Sequence, residues 1–107
     1  MNEFDLIARL TRSLPSNSAV IAGAGDDCAV LDSGDPERAL LFKTDAIVEG
    51  VHFLPSTPPE QIGHKALARC LSDIAAMAGR PIAALVTIAL PAKFDPTFVE
   101  KIYAGMT

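Results

Sequence analysis

Apolar residues recur at helical spacing in three parts of the chain. The first part predicts a helix that begins after Asn2 and ends before Pro15. The apolar face of this helix would consist of Phe4, Ile7, Ala8 and Thr11. The last part predicts a helix that Asp95 caps, with Pro96 in its first turn. The apolar face of that helix would consist of Phe98, Val99, Ile102 and Tyr103.

The longest helical pattern lies between residues 56 and 81. Ser56 or Thr57 can cap this helix, a Pro-Pro pair suits its start, and Gly79 and Pro81 stop it. Its apolar positions are Ile62, Ala66, Leu67, Leu71, Ile74 and Ala75. Asp73 interrupts a small, apolar stretch of this helix, where a carboxylate lowers helix propensity and is poorly suited to burial. The pattern leaves open whether Asp73 faces solvent or has a function.

Short extended runs predict strands joined by polar turns. Residues 19–22 lead into a glycine turn, and residues 28–31 continue after it. Residues 39–42 form a further apolar run, which ends just before a Thr-Asp pair. The β-branched run at residues 83–90 predicts a central strand, buried on both faces or at an interface. With no repeat or linker between these elements, the sequence predicts a single α/β unit.

Composition and charge narrow the class of protein. Half of the 107 residues are hydrophobic, the formal net charge is −4 at pH 7, and the pI is about 4.9. Lysine and arginine form no run, so neither nucleic acid nor an anionic membrane is expected as a partner. No apolar stretch approaches the roughly 18 to 20 residues of a spanning helix, and acids stand where a signal peptide would be basic. We therefore expect a cytoplasmic protein, with Cys28 and Cys70 as small buried hydrophobic residues.

Carboxylates from three separate elements form the candidate site. The run GAGDD ends in Asp26 and Asp27, Thr44 and Asp45 follow a predicted strand, and Asp73 lies on the long helix. Adjacent carboxylates repel each other unless a cation holds them. Mg²⁺ prefers oxygen ligands and uses one or two carboxylates beside substrate phosphates. Together the acids therefore indicate a nucleotide site, although GAGDD alone also suits an ordinary turn between strands.

Other nucleotide and nucleophile motifs are missing from the chain. Cys28 stands where a dinucleotide fingerprint has its third glycine, and no GK[ST] P-loop occurs. There is no GxSxG elbow and no cysteine with a nearby histidine, so nucleophilic catalysis is not expected. His52 lies in an apolar loop and His64 is expected to be exposed. Lys43 and Lys65 could reach phosphate as point charges or be solvated surface groups.

Three blocks in order resemble the N-terminal half of thiamine-monophosphate kinases. They are AGAGDDCAVL, the TD-x-x-VEGVHF block at residues 44–53, and KALARCLSDIAAMAGRP at residues 65–81. The resemblance covers roughly residues 4–90. This family belongs to the superfamily of aminoimidazole ribonucleotide synthetase, which binds ATP without a P-loop. The VEGVHF stretch distinguishes the thiamine kinases from their relatives, whereas the other blocks are shared more broadly.

The resemblance implies roles for individual residues. The positions that correspond to magnesium ligands are Asp27, Thr44, Asp45 and Asp73. The positions on the ATP side are Gly25, Asp26 and Lys43, and His52 matches a histidine that contacts the substrate. The family usually has Ser or Thr at position 43, and an ammonium group cannot coordinate Mg²⁺ as a hydroxyl can. Residues 78 and 79, Ala-Gly here, reverse the usual Gly-Ala order.

The implied reaction is the Mg²⁺-dependent transfer of the γ-phosphoryl group of ATP to thiamine monophosphate, which gives thiamine diphosphate. Because the acceptor phosphate is largely ionised near neutral pH, no protein base is obligatory, and catalysis consists of positioning and charge neutralisation. We expect no catalytic side chain beyond the groups that hold metal and substrates. The alternatives are a sister ATP-dependent synthetase and a non-catalytic dimeric nucleotide-binding module, for which Lys43 is an argument.

The resemblance also implies a fold and an assembly. The fold is the N-terminal domain of the aminoimidazole ribonucleotide synthetase-like class, an α+β arrangement with a mixed sheet and helices on one face. Strands of two subunits would pair across a homodimer. Family chains are longer, with a further glycine-glycine-aspartate motif and a C-terminal domain. We therefore expect residues 1–107 to be a truncated N-terminal domain that is inactive alone.

Overall fold

The computed structural model describes residues 1–107. It contains three helices and one three-stranded antiparallel sheet, in the order α1 (Glu3–Thr11), β1 (Val20–Ala22), β2 (Ala29–Asp32), β3 (Ala39–Phe42), α2 (Pro59–Ala76) and α3 (Pro96–Gly105). These elements form two compact units, Met1–Lys43 with α1 and the sheet, and Thr44–Thr107 with α2 and α3. The predicted α+β class is confirmed. The sequence predicts a single α/β unit, and the assignment of residues 1–107 to one N-terminal domain stays a prediction.

Helix α1 begins where the sequence predicts. The Asn2 side chain accepts a hydrogen bond of 2.8 Å from the backbone N–H of Asp5, which satisfies one of the free donors at the helix start. Glu3 and Asp5 lie in the first turn, where negative charge is favourable. No residue of α1 is buried, and Phe4 on its apolar face is 82% exposed.

The sheet of the first unit has the strand order β1-β2-β3. Strands β2 and β3 pair in regular register from Ala29 with Phe42 to Asp32 with Ala39, whereas the pairing of β1 with β2 is interrupted by an irregularity after Val20. All pairings are antiparallel, so the prediction of a mixed sheet is wrong for this chain. Successive strands are joined by short turns, and such turns can connect only antiparallel neighbours.

Residues 83–90 do not form the predicted strand. The sheet contains three strands, and this segment is not among them. Leu85 is 98% exposed, and Ile82 just before the segment is 79% exposed. A strand exists only where a neighbour pairs with its backbone, so a strand-like composition alone does not produce one. The pairing of strands across a dimer stays a prediction.

Helix α2 has a different start from the predicted one. Its N-cap is Pro58, without a side-chain hydrogen bond, so capping by Ser56 or Thr57 is wrong. The Thr57 hydroxyl instead accepts a 3.0 Å hydrogen bond from the Leu54 N–H, while the Thr57 N–H donates to the Leu54 carbonyl at 2.9 Å. Thr57 therefore closes the preceding turn, and its side chain is not free to cap the helix.

Helix α2 ends in a Schellman motif. The Gly79 N–H donates to the Ile74 carbonyl at 2.9 Å, and the Ala78 N–H donates to the Ala75 carbonyl at 3.0 Å. Ala78 has a φ of +57°, the left-handed conformation that glycine usually occupies at this position. The reversed Ala-Gly order thus puts a side chain at the one residue of the motif where glycine is preferred.

Helices α2 and α3 cross at two glycines. An ideal Cβ on Gly63 would lie 1.8 Å from the Ile102 carbonyl oxygen, and one on Gly105 would lie 1.9 Å from the Glu60 carbonyl oxygen. Ile62 and Ile102 are buried at this crossing, and α3 itself begins with the predicted cap, Asp95, whose carboxylate accepts from Thr97 N–H at 2.9 Å. The core of the second unit therefore depends on direct contact between the two backbones.

Candidate functional site

The GAGDD run forms the turn between β1 and β2 in the first unit. Gly25 has a φ of +125°, which side chains rarely allow, and nothing lies within 4 Å of an added Cβ. Glycine is therefore required here for backbone conformation and not for space. One carboxylate oxygen of Asp26 accepts a 2.8 Å hydrogen bond from the Asp27 N–H, and both side chains are exposed. Cys28, which directly follows the turn, is buried, with 2% of its surface exposed.

Asp45 lies in the second unit, in the loop that leads to α2. Its Oδ1 accepts a 2.8 Å hydrogen bond from the Ala46 N–H, and its Oδ2 lies 3.4 Å from Nε of Arg69. Each carboxylate oxygen therefore has a partner, and these contacts set the orientation of the group. Arg69 is separated from Asp45 by 24 residues, and it lies on α2.

One side of α2 supplies the remaining groups. Lys65, Arg69 and Asp73 follow each other at intervals of four residues, which places them in one row along the helix. Together with Asp45, Ala68 and Ser72 they line a concavity of about 410 Å³. Asp73 is half-buried at this concavity, so its side chain does not simply face solvent. Two carboxylates and two cationic groups thus share one small space.

The donor set of this concavity fits a magnesium ion that also binds phosphate. Asp45 and Asp73 supply the one or two carboxylates that protein-bound Mg²⁺ typically uses, and substrate phosphates and water complete its shell. No group of three or more His, Cys, Asp or Glu residues is arranged to hold a metal ion. Asp45 and Asp73 therefore supply only part of the coordination shell of a metal ion at this concavity.

His52 organises the loop before α2. The ring Nδ1 of His52 accepts a 2.8 Å hydrogen bond from the Val48 backbone N–H. The backbone N–H of His52 donates to the Val48 carbonyl, also at 2.8 Å. A backbone N–H can only donate, so Nδ1 carries no proton and the neutral ring is protonated at Nε2. Nε2–H is then the group that His52 has available for a ligand. Gly50, with a φ of +83°, allows the tight turn inside this loop.

A second concavity, of about 660 Å³, lies beside this loop. His52, Phe53, Glu60, His64 and Lys65 are among the residues that line it. The Lys65 ammonium group donates to the carbonyl of His52. Because Lys65 also lines the concavity at Asp45 and Asp73, one lysine is common to both spaces. His64 is exposed, as expected from the sequence.

The structure brings together part of the predicted site. Asp45 and Asp73 line one concavity, with Thr44 next to Asp45 in the chain and His52 at the neighbouring space. The other predicted residues belong to the first unit, and these are Gly25, Asp26, Asp27 and Lys43. A site that joins Asp27 to Asp45 and Asp73 stays a prediction. Arg69 is the residue that sequence reasoning missed, although its spacing of four residues from Asp73 was a signal.

The model of the family described as AIR synthase related protein, N-terminal domain, matches residues 25–107. The chain belongs to this family. This match confirms the aminoimidazole ribonucleotide (AIR) synthetase superfamily to which the three sequence blocks point. No helix of this family member is both long and apolar enough to cross a membrane.

Curated proteins that this AIR synthase related chain resembles are named thiamine-monophosphate kinases. It is 42% identical over 107 residues to the thiamine-monophosphate kinase of Bacillus subtilis (strain 168), with 99% of this chain and 33% of that protein covered. It is 43% identical over 100 residues to the enzyme of the same name from Escherichia coli (strain K12), with 92% and 30% covered. The chain spans about a third of the length of the curated relatives it matches. No solved structure gives a significant match.

Proposed function

We propose that this chain forms part of a kinase that uses ATP and Mg²⁺ to phosphorylate thiamine monophosphate to thiamine diphosphate. The observation that carries the proposal is the concavity where Asp45 and Asp73 face Lys65 and Arg69, in a chain whose curated relatives are thiamine-monophosphate kinases. Phosphoryl transfer between two anions requires charge neutralisation more than it requires a base. Two carboxylates for cations and two basic groups for phosphates meet that requirement.

The site residues take the following roles in this proposal. Mg²⁺ would be held by Asp27, Thr44, Asp45 and Asp73, and when bound it offsets the charge of the phosphates. Gly25, Asp26 and Lys43 would contact ATP, with Lys43 as a point charge and not as a metal ligand. His52 would donate its Nε2–H to thiamine monophosphate. The basic groups of Lys65 and Arg69 face the same concavity as the acids, where phosphate oxygens would lie.

The assembly and location expected from the sequence belong to the same proposal. Homodimer formation is supported by the apolar, exposed residues around Leu85, which have the composition of a strand but no partner in the sheet. A cytoplasmic location stays a prediction.

The direct test is an assay of the gene product at its full length for ATP-dependent formation of thiamine diphosphate from thiamine monophosphate. We expect turnover that requires Mg²⁺. Activity with a different phosphate acceptor, and none with thiamine monophosphate, would instead indicate a sister synthetase. Binding of ATP without any turnover would indicate the non-catalytic nucleotide-binding module.

The site itself is tested by Asp45→Asn. This change removes a ligand charge without removing volume, so we expect weaker Mg²⁺-dependent ATP binding and an unchanged fold. Calorimetric titration measures the affinity, and circular dichroism checks the fold. Asp5→Asn is the matched control, because it makes the same chemical change on the exposed surface of α1. Equal affinities for the wild type and Asp45→Asn would contradict the assignment.

A further inference from the structure

Arg69 contacts a proposed metal ligand directly. Its Nε lies 3.4 Å from Oδ2 of Asp45, whose other oxygen accepts from the Ala46 N–H. A cation that binds through Oδ2 would have to share this oxygen with a positively charged guanidinium group. Binding of a cation at Asp45 and the ion pair with Arg69 therefore oppose each other.

The ion pair has the properties of a contact that can be exchanged. The side chains of Arg69 and Asp45 are 40% and 25% exposed, so water screens their attraction. The contact joins Nε to Oδ2 at 3.4 Å, which is long for a hydrogen bond between charged groups. A divalent cation, with twice the charge, should displace the guanidinium at small cost.

The neighbouring residues indicate where the displaced guanidinium group would act. Arg69 lies between Lys65 and Asp73 in the row on α2, and all three line the concavity. Once it is released from Asp45, the guanidinium group remains on the same helix turn with five N–H donors, the geometry that suits phosphate oxygens. The same side chain can thus serve a carboxylate before ligands bind and a polyphosphate afterwards.

We propose that Arg69 is a positioning residue that holds the Asp45 carboxylate in the absence of a divalent cation and transfers to the nucleotide phosphates when the cation binds. This inference rests on the proposed function, because it takes Asp45 to be a metal ligand. Removing the Arg69 side chain should therefore strengthen the binding of the cation alone and weaken the binding of the nucleotide.

The experiment measures both affinities separately, on the full-length protein. Mn²⁺ without nucleotide is titrated by electron paramagnetic resonance, and a non-hydrolysable ATP analogue is titrated by calorimetry at saturating Mg²⁺. For Arg69→Gln we expect Mn²⁺ to bind about two- to fivefold more tightly, the gain from removing a partly exposed ion pair. We expect the analogue to bind about tenfold more weakly, the loss of a hydrogen bond between charged groups.

Two further variants complete the comparison. Arg69→Lys keeps the charge but not the planar group, so the Mn²⁺ affinity should stay near that of the wild type while the analogue binds more weakly. Arg80→Gln removes an exposed arginine from the same unit and should leave both affinities unchanged. Circular dichroism establishes that each variant is folded.

The outcomes separate this inference from the function on which it rests. Weaker binding of both ligands by Arg69→Gln would indicate a purely structural role and overturn the inference. Unchanged affinities in Arg69→Gln, together with a loss of Mn²⁺ binding in Asp45→Asn, would also overturn it but leave the metal site intact. If Asp45→Asn binds Mn²⁺ like the wild type, the proposed metal site itself is wrong.

Discussion

The crossing of α2 and α3 at Gly63 gives the sharpest prediction for stability. In Gly63→Ala the new methyl group would lie 1.8 Å from the Ile102 carbonyl oxygen, and separations under 3.0 Å essentially never occur for real Cβ atoms. The obstacle is the main-chain carbonyl group of Ile102 and not the end of a flexible side chain. The two helices must therefore move apart by roughly 1 Å, which loosens the contact around Ile62 and Ile102.

Two opposing terms set the size of the effect. Overpacking a close contact costs about 1–3 kcal/mol, and a rigid obstacle places this case at the upper end. Replacing glycine by alanine within a helix returns about 1 kcal/mol through helix propensity. We therefore expect Gly63→Ala to lower the free energy of unfolding by about 2 kcal/mol.

Urea denaturation, followed by the helical circular dichroism signal, measures this change. Ala75→Gly is the matched control, because Ala75 is exposed on the same helix and the substitution isolates the propensity term at a cost of about 1 kcal/mol. A Gly63→Ala variant that is more stable than the wild type, by an amount similar to the loss in Ala75→Gly, would refute the close crossing. Gly63 would then be an ordinary exposed helix position.

Two other predictions concern the end of α2 and the histidine loop. Ala78→Gly should raise the free energy of unfolding by about 0.5–1 kcal/mol, because it removes a side chain from a residue held at a φ of +57°. Urea denaturation measures this change, and the control Gly79→Ala should give no such gain. A loss of stability in Ala78→Gly would contradict the prediction. The neutral ring of His52 should carry its proton on Nε2, because Nδ1 accepts from the Val48 N–H. Nitrogen-15 NMR of the ring at mildly alkaline pH measures this, with the exposed His64 as reference, and a proton on Nδ1 of His52 would rule out the loop hydrogen bond.

Local interactions explain which parts of the fold could be predicted from the sequence. The caps Asn2 and Asp95 bind backbone donors two or three residues away, so a few neighbouring residues determine them. The predicted cap of α2 is wrong for a similarly local reason, because the Thr57 hydroxyl already accepts a hydrogen bond from the Leu54 N–H. Residues 83–90 differ because a strand requires a partner that is distant in sequence, and no pattern within the segment reveals whether that partner is present.

The candidate site likewise contains parts that the sequence predicts and parts that only the folded chain reveals. Asp73 and Lys65 lie on one helix, and their spacing of eight residues places them on one side of it, as the sequence allows. The contact of Arg69 with Asp45 joins a helix to a loop 24 residues earlier, so only the folded chain reveals it. The tautomer of His52 likewise depends on the turn that brings the Val48 N–H to the ring. Sequence reasoning found the acids, and the structure adds the basic group that faces one of them.

The position of Lys65 between two concavities has a chemical consequence. Its ammonium group supports the His52 carbonyl and also lines the space beside Asp45 and Asp73. Acylation of this amine would remove its positive charge from both spaces and leave only a neutral amide N–H to donate to the His52 carbonyl. A single covalent modification of Lys65 would therefore change the charge of both concavities at once.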